Sequence, residues 1–316
     1  MARPLSSNIA TEQTARHAPG QSRFVALLIS LRPGQWSKNL IVFAGLIFGG
    51  RLTDPAAIVL AAETFAIFCA LSAAVYLFND VADREGDRNH PLKSARPIAS
   101  GMVSPGIAVA TGVVLGASGI TAALLASREL GAVAALYLTL LGLYSVLLKH
   151  IVIVDVLSIA AGFVLRAVAG AVAVAVPISQ WLLVCATLLA LFLVLSKRRH
   201  ELTLLADGAT DHRPILGEYN PYLLDQMVAV VTASTLMAYT SYAMSPETAE
   251  RLGTERLALT IPFVLYGIFR YLYLVHQKKG GGDPTAILVH DRPILACVAA
   301  WAATVALLLY TPLGGN

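Results

Sequence analysis

The feature that most constrains this chain is a succession of long apolar stretches that recur between residues 36 and 311. Each is bounded by charged residues, proline or glycine, and most approach the roughly 20 residues that a helix needs to cross a bilayer. Only 13% of the 316 residues are charged, against about 25% in soluble chains. The sequence therefore predicts an all-α integral membrane bundle. Nine transmembrane helices are predicted, at residues 36–50, 56–79, 102–126, 130–148, 151–173, 178–196, 222–244, 257–276 and 293–311.

The N-terminal segment differs in composition from the predicted bundle. Residues 1–20 are rich in small and polar types, and they lack the uninterrupted apolar region of a signal peptide. We therefore expect residues 1–20 to form a disordered cytoplasmic tail. Residues 21–316 are expected to form one transmembrane domain.

Positive charges are unequally divided between the two sides of the predicted bundle. If the N-terminus is cytoplasmic, most of the 23 lysines and arginines fall in inside connections, which are also the longest ones. Because basic residues concentrate on the cytoplasmic side of membrane proteins, this division predicts the orientation. We expect an integral protein of the inner (plasma) membrane whose active site faces the cytoplasm. The outside connections carry Arg51, Arg128, Arg251 and Arg256.

An acidic motif, Asn-Asp-x-x-Asp-x-x-x-Asp, directly follows the second predicted helix at residues 79–87. Asn79, Asp83 and Asp87 recur every four residues, so a continuing helix places them on one face. Like charges at this spacing repel each other, and a divalent cation removes the conflict. Mg²⁺ prefers hard oxygen ligands and completes its shell with water and substrate phosphate. We therefore predict these three residues as magnesium ligands; the alternative is an acidic helix end paired with neighbouring arginines.

A basic segment follows the acidic motif within a few residues. Arg88, Lys93 and Arg96 stand in the pattern R-x-H-P-x-K-x-x-R-P. Cations beside a metal-binding motif suit a substrate that carries several phosphates. The same residues also serve as positive-inside anchors, and the two roles do not compete. Asp80, within the acidic motif, is either a further substrate contact or a structural residue.

Further motifs lie in or beside the other inside connections and, in one case, within the predicted helix at 151–173, and they occur in a characteristic order. They are R-P-G-Q-W-S-K-N at 32–39, H-P-x-K-x-x-R-P-I-A-S-G at 90–101, Y-S-V-L-L-K-H at 144–150, V-L-R-A-V-A-G at 164–170 and S-K-R-R-H-E-L at 196–202. With the acidic motif and the helix count, they closely resemble the UbiA superfamily of intramembrane prenyltransferases. Within it, the sequence is most similar to the decaprenyl-phosphate phosphoribosyltransferase branch.

The resemblance implies a UbiA-like bundle and a reaction. Phosphoribose would pass from phosphoribosyl pyrophosphate to a decaprenyl-like polyprenyl phosphate, with release of diphosphate. Mg²⁺ would be the cofactor, and the product would serve cell-envelope arabinan or glycan synthesis. A phosphomonoester is already anionic near neutral pH, so its oxygen can attack the anomeric carbon without a general base. The enzyme must mainly hold and neutralise the leaving diphosphate. The expected partners are these two substrates and the membrane, without nucleic acid.

The resemblance also implies roles for individual residues. The expected catalytic residues are Asp83, Asp87, Arg166 and Lys197. The expected substrate-binding residues are Lys38, Asp80, Arg88, Lys93, Arg96, Tyr144, Lys149, Arg198, Glu201, Asp291 and Arg292. Three of these residues have an alternative role that involves no substrate: a membrane anchor for Lys38, a helix-dipole contact for Lys149 and a structural contact between helices for Arg166.

Other functions remain open at the level of the sequence. Prenyl-diphosphate users in the superfamily typically carry a second D-x-x-x-D motif after the sixth helix, where this chain reads K-R-R-H-E. Asp207 and Asp211 form such a motif further along, either by coincidence or as a second metal site. The alternative enzyme is a prenyltransferase with an aromatic or haem acceptor, and the alternative class is a transporter, although no internal repeat is evident. Homo-oligomerisation also stays open.

Overall fold

A computed structural model of the protein describes residues 22–89, 93–177, 180–204, 214–277, 287 and 290–310. The predicted tail at residues 1–20 lies outside this part of the chain. The α-helices are α1 (Arg23–Ser30), α2 (Ala44–Phe48), α3 (Pro55–Ala82), α4 (Arg84–Arg88), α5 (Pro105–Ala126), α6 (Arg128–Val146), α7 (Val154–Ala173), α8 (Gln180–Leu204), α9 (Pro221–Met244), α10 (Pro246–Leu252), α11 (Ile261–Gln277) and α12 (Arg292–Tyr310). Helices of the 3₁₀ type lie at Pro33–Phe43, Lys93–Ala95, Leu148–His150, Pro214–Glu218 and Arg256–Thr260.

The long helices confirm the predicted class of protein. Among the described residues, eight helices are long and apolar enough to cross a membrane: α3, α5, α6, α7, α8, α9, α12, and α11 together with the 3₁₀ turn before it. They coincide with eight of the predicted spans. The protein is therefore an all-α integral membrane bundle.

The first predicted span, at residues 36–50, has a different backbone from the others. It consists of an eleven-residue 3₁₀ helix, Pro33–Phe43, followed by the five residues of α2. A 3₁₀ helix rises about 2.0 Å per residue, so Pro33–Phe43 extends over about 22 Å. With about 7 Å more from α2, the segment approaches the roughly 30 Å of a bilayer core. The predicted count of nine crossings is consistent with this arrangement.

This first segment lies directly against α7 through backbone contact. A Cβ atom added at Gly170 would lie 1.8 Å from the carbonyl oxygen of Val42, and one at Gly45 would lie 2.6 Å from the amide nitrogen of Ala171. No side chain larger than hydrogen fits at either glycine without movement of the backbone. The close approach brings Asn39 of the 3₁₀ helix next to polar groups of α7.

The helix boundaries follow from local sequence signals. Three spanning helices begin with a capping residue followed by proline, as at Asp54, Ser104 and Asn220, each of which accepts a hydrogen bond from a backbone amide of the first turn. Such residues satisfy amides that lack partners within the helix, and proline at the next position carries no amide hydrogen. These signals fix where each helix leaves its connection.

Two large apolar clusters hold the bundle together and share α7. One joins α7, α8, α9, α11 and α12, and the other joins the first segment to α3, α5, α6 and α7. Large apolar side chains also cover the outward surface, as at Leu125, which is 83% exposed. An outward apolar surface is what lipid requires, so the polar groups collect at the helix ends and in a few buried networks.

Candidate active site at one end of the helix bundle

The acidic motif continues the helical path of α3 into α4. The amide of Asp83 donates to the carbonyl oxygen of Asn79, and the amide of Asp87 donates to that of Asp83, each at 2.8 Å. The side-chain amide of Asn79 also donates to Asp83 Oδ2 at 3.1 Å. The three predicted metal ligands therefore share one face, as their spacing predicts.

Asp83 is the accessible carboxylate of this face. Its side chain is 35% exposed, whereas those of Asp80 and Asp87 are only 4% and 5% exposed. Lys149, in the 3₁₀ turn after α6, donates from Nζ to Asp83 Oδ1 at 2.6 Å. The predicted substrate-binding Lys149 thus lies beside the predicted metal ligand.

The basic segment after α4 folds back over the acidic motif. Arg96 donates from Nη1 to Asp87 Oδ2 at 2.5 Å and lies 3.2 Å from Asp80 Oδ1. Lys93 Nζ lies 4.0 Å from Asp87 Oδ1. Arg32, whose backbone is in the left-handed region with φ of 54°, makes a second ion pair with Asp80. Asp80 is consequently enclosed by two guanidinium groups, which fits the structural alternative for this residue.

A second charged network is buried between α7 and α8. Arg198, with a side chain 2% exposed, donates from Nε to Asp155 Oδ2 at 3.1 Å, and Asp155 is fully buried. Other guanidinium nitrogens of Arg198 donate to Glu201 Oε2 at 2.7 Å and to the hydroxyl of Tyr144 at 3.4 Å. Three of the predicted substrate-binding residues thus come together, but around the carboxylate of Asp155. Lys197, which is 42% exposed, lies 3.9 Å from Glu201.

Arg166 lies in a third, buried network of neutral groups. Its guanidinium donates to the side-chain oxygen of Asn39 at 2.6 Å, to the hydroxyl of Tyr137 at 2.6 Å and to the carbonyl of Gly162 at 2.9 Å. The hydroxyl of Ser72 lies 3.4 Å from Nη2. These partners belong to the first segment, α3, α6 and α7, so Arg166 ties four elements together. The structure brings Arg166 together with none of the other predicted catalytic residues through the contacts described.

The remaining predicted residues lie around the same helix ends. Asp291 accepts from Arg270 Nη2 at 2.9 Å and from the amide of Ile294 at 3.0 Å, which caps the start of α12. Burial alone raises the pKa of Asp291, but the hydrogen bonds and the positive charge of Arg270 outweigh burial and hold that pKa below its ordinary value. Arg88 donates from Nε to the carbonyl of Ala99 at 3.0 Å. Lys38 is half-buried and Arg292 is exposed.

Some site features were not predictable from the motifs. Arg32 begins the motif at residues 32–39, but its pairing with Asp80 depends on how α1 and the 3₁₀ helix pack against α3. Tyr219 carries no charge and belongs to no motif, although it contacts Asp155. Asp207 and Asp211, the candidate second metal motif, lie outside the described residues.

An apolar cavity of about 440 Å³ lies between the first segment and helices α7, α8, α9, α11 and α12. By the predicted orientation, it reaches from Arg251 on the outer side to Ile294 near the inner end of α12. Its walls include Leu189, Gly267 and Trp301. Its lining and length suit an apolar chain, while the charged groups described above lie outside its wall.

The donor set at the acidic motif fits magnesium bound together with phosphate. Among the described residues, no three His, Cys, Asp or Glu side chains are gathered as a ready-made metal site. Magnesium is usually held by one or two carboxylates, with the rest of its shell supplied by water and substrate phosphates. Asp83 offers such a carboxylate, Asn79 offers an amide oxygen beside it, and Lys149 and Lys93 lie close enough to compensate phosphate charge.

Comparison with known proteins places the chain among membrane transferases. Residues 39–290 match the model of the UbiA prenyltransferase family. The decaprenyl-phosphate phosphoribosyltransferase of Mycobacterium tuberculosis is 32% identical over 306 residues, which cover 95% of this chain and 98% of that protein. That of Corynebacterium glutamicum is 30% identical over 307 residues, covering 95% and 92%. A UbiA homolog from Archaeoglobus fulgidus bound to DMAPP and Mg²⁺ has a similar fold, with a TM-score of 0.68 at 20% identity, covering 90% of this chain and 99% of that one.

Proposed function

Because the chain belongs to the UbiA prenyltransferase family, we propose that it transfers phosphoribose from phosphoribosyl pyrophosphate to a polyprenyl phosphate, with release of diphosphate. The two relatives named for this type of reaction align over nearly the whole chain, which supports the proposal. The observation that carries it is the pairing of the accessible carboxylate of Asp83 with the ammonium of Lys149 at 2.6 Å. An accessible carboxylate beside a cation suits a metal-bound diphosphate.

The proposed reaction requires no side chain to act as a nucleophile or as a general base. The bond between the anomeric carbon and the diphosphate oxygen breaks, its electron pair leaves with the diphosphate, and an anionic oxygen of the lipid phosphate forms the new bond. Asp83, Asn79 and Asp87 would hold Mg²⁺, which supplies Lewis-acid neutralisation of the leaving charge. Lys149 and Lys93 would contact the phosphates as fixed cations. Arg96 keeps the Asp87 carboxylate oriented through its hydrogen bond.

The apolar cavity would take the chain of the lipid acceptor. Its lining is almost wholly apolar, and its inner end at Ile294 lies at the start of α12, close in sequence to Asp291. A polyprenyl chain in this space would leave its phosphate at the inside face, where the charged groups lie. We propose that this face is cytoplasmic and that the membrane is the inner one, on the strength of the charge distribution. The product would then serve cell-envelope glycan synthesis.

A second candidate is transfer of a prenyl group from a prenyl diphosphate to an aromatic or haem acceptor. The observation that favours it is the similar fold of the archaeal homolog bound to DMAPP and Mg²⁺. Both candidates use the same acidic motif, so the motif does not distinguish them. The basic K-R-R segment at 197–199 favours the more phosphate-rich ribosyl donor.

Substrate transfer by the purified protein in lipid nanodiscs tests the choice. The protein would be supplied with Mg²⁺ and one of two substrate pairs. The first is decaprenyl phosphate with phosphoribosyl pyrophosphate that carries ³²P in its 5-phosphate, and the second is 4-hydroxybenzoate with ¹⁴C-labelled geranyl diphosphate. We expect label in the lipid fraction with the first pair alone, and loss of that label in the Asp83→Asn variant. Label transferred from geranyl diphosphate, with none from the ribosyl donor, would establish the second candidate.

A further inference from the structure

The hydroxyl of Tyr219 connects two parts of the site that the sequence keeps far apart. Tyr219 follows the 3₁₀ helix Pro214–Glu218 and is only 4% exposed. Its hydroxyl accepts a hydrogen bond from the backbone amide of Ile153 at 2.7 Å and donates one to Asp155 Oδ1 at 2.8 Å. One phenol therefore contacts both the residue that precedes α7 and a buried carboxylate on its first turn.

Ile153 has a backbone conformation that is sterically unfavourable for its β-branched side chain. Its φ is 69° and its ψ is −43°, in a region that β-branched residues rarely adopt. Such a conformation persists where surrounding contacts determine it. The hydrogen bond from the Ile153 amide to Tyr219 is a contact of this kind, because it fixes the direction of the strained peptide.

The strained residue lies between the turn that carries Lys149, Leu148–His150, and the start of α7 at Val154. The 3₁₀ turn Leu148–His150 packs against the 3₁₀ helix Pro214–Glu218, next to Tyr219. From this turn Lys149 reaches Asp83 at 2.6 Å. The direction of the chain between Lys149 and Val154 thus decides whether the ammonium reaches the acidic motif.

The protonation of Tyr219 supports its role as a donor. Burial raises the pKa of Tyr219 to about 12. The phenol therefore stays neutral at physiological pH and can donate to Asp155 while it accepts from Ile153. Asp155 is in turn held by Arg198 at 3.1 Å, so the position of the phenol is itself fixed.

We infer that Tyr219 is a positioning residue that holds the strained turn before α7 so that Lys149 faces a metal-bound diphosphate beside Asp83. This inference rests on the proposed function, since it takes the diphosphate to lie at the acidic motif. It assigns Tyr219 no contact with substrate. Its effect is transmitted through the amide of Ile153 to Lys149.

Binding of magnesium pyrophosphate tests this role without requiring turnover. Isothermal titration calorimetry would use the full-length protein in nanodiscs with Mg²⁺ and inorganic pyrophosphate. Tyr219→Phe should weaken binding about tenfold, the scale expected for the loss of one or two hydrogen bonds. Tyr222→Phe is the matched control, because Tyr222 is 74% exposed and should bind like the wild type. Should Tyr219→Phe fail to fold, Ile153→Pro, which removes the same amide donor and forces φ to about −65°, should show a similar loss.

Two double variants distinguish positioning from general stability. Glycine adopts positive φ without steric cost, so Ile153→Gly in the Tyr219→Phe protein should restore binding to within about threefold of wild type. In a Lys149→Gln background, Tyr219→Phe should have little further effect, because the residue through which it acts is already lost. A merely structural role would predict the opposite in both cases.

The outcomes separate this inference from the proposed function. Wild-type affinity in Tyr219→Phe, absence of rescue by Ile153→Gly, or a full effect in the Lys149→Gln background would each overturn the role of Tyr219 while leaving the diphosphate site intact. Failure of the wild-type protein to bind magnesium pyrophosphate would overturn the site itself, and the role of Tyr219 with it.

Discussion

Lys149 donates a hydrogen bond to Asp83 across 2.6 Å, although the two residues are 66 positions apart in the sequence. The contact joins the turn after α6 to the end of α3, at the same end of the helix bundle. Asp83 is also the most accessible aspartate of its motif, because arginines cover Asp80 and Asp87. A cation and an accessible carboxylate thus lie side by side where a metal-bound diphosphate needs both.

The first prediction concerns the carboxylate of Asp83. Asp83→Ala should lower kcat at least 100-fold, which corresponds to about 2.7 kcal/mol or more of lost transition-state stabilisation, because the metal loses its accessible ligand. Steady-state transfer of phosphoribose to the lipid measures the loss. EDTA should likewise abolish turnover of the wild type.

Glu85→Ala is the control for this variant. Glu85 belongs to the same motif but is exposed. Its position two residues after Asp83 places it on a different face of the helix from Asn79 and Asp83. It should retain near-normal activity. Full wild-type activity in EDTA, or equal losses in the two variants, would contradict a magnesium site at Asp83.

The second prediction concerns the buried ion pair of Asp155 and Arg198. The two side chains are 0% and 2% exposed, and Arg198 is the one ion-pair partner of Asp155 among the described residues. Arg198→Ala should therefore leave the Asp155 carboxylate buried without a compensating charge and lower the free energy of unfolding by about 3–5 kcal/mol. The midpoint of reversible unfolding in sodium dodecyl sulfate measures this change.

A more exposed ion pair provides the comparison. Arg270 and Asp291 are 28% and 13% exposed, and Arg270→Ala should cost roughly 1 kcal/mol or less. Both variants remove an arginine from an ion pair, so the difference between the two losses reports mainly the burial of the carboxylate left behind, 0% exposed for Asp155 and 13% for Asp291. If Arg270→Ala proved the more destabilising change, the network around Asp155 would not hold α7 and α8 together.

The sequence predicts the helices well because their determinants are local. Apolar stretches of the length of a bilayer are visible by inspection, and residues such as Asp54 and Ser104 mark helix starts through bonds within a few residues. The shared face of Asn79 and Asp83 is likewise a local consequence of helical spacing. These features needed no knowledge of the packing of helices.

The pairing of charges was beyond the sequence because it depends on packing between helices. Asp155 and Arg166 lie on the same helix, but Asp155 pairs with Arg198 on α8 while Arg166 contacts Asn39 of the first segment. Neither partner can be identified until the helices are placed side by side. The 3₁₀ backbone of the first span is another such case, since close packing against Gly170 is not visible in an apolar pattern.

The third prediction tests the orientation. Single cysteines at Asp54, Arg128 and Glu250 should react in intact cells with an impermeant maleimide, and one at Glu85 should react only after the membrane is opened. The background should lack the three native cysteines, which are buried in the structure. Labelling at Glu85 in intact cells would contradict the cytoplasmic position of the site.

The fourth prediction tests the apolar cavity as the site of the lipid chain. A Cβ atom at Gly267 would meet nothing nearer than Cys297 Sγ at 4.0 Å, so Gly267→Leu can fill the cavity without backbone strain. The variant should raise KM for decaprenyl phosphate about tenfold or more, because it occupies space for the chain. Binding of magnesium pyrophosphate should not change.

Gly142→Leu is the matched control for the cavity. Gly142 is exposed on α6, with nothing within 4 Å of an added Cβ, so the same substitution there points to the outside of the bundle. Its KM for the lipid should equal that of the wild type. Equal KM values in both variants would place the lipid chain elsewhere.

The last prediction distinguishes the two donors through residues near the end of α8. Lys197 is 42% exposed, whereas Arg198 is buried and held by Asp155. If the donor is phosphoribosyl pyrophosphate, Lys197 contacts its phosphates. Removing a charged contact to a desolvated phosphate typically costs about 2–5 kcal/mol, so Lys197→Ala should lower kcat/KM for the ribosyl donor by about 30-fold or more.

The second half of this test uses Asp207 and Asp211. If the donor is a prenyl diphosphate, these aspartates hold a second Mg²⁺, and the variant Asp207→Asn with Asp211→Asn should be nearly inactive. If the donor is phosphoribosyl pyrophosphate, kcat/KM of the same double variant should stay within about threefold of wild type. In that case the two carboxylates bind no metal, and asparagine amides of the same shape can replace them. The order of the two losses decides between the donors more firmly than either magnitude does. A folded double-aspartate variant more impaired than Lys197→Ala would require the phosphoribosyl assignment to be replaced by the prenyl one.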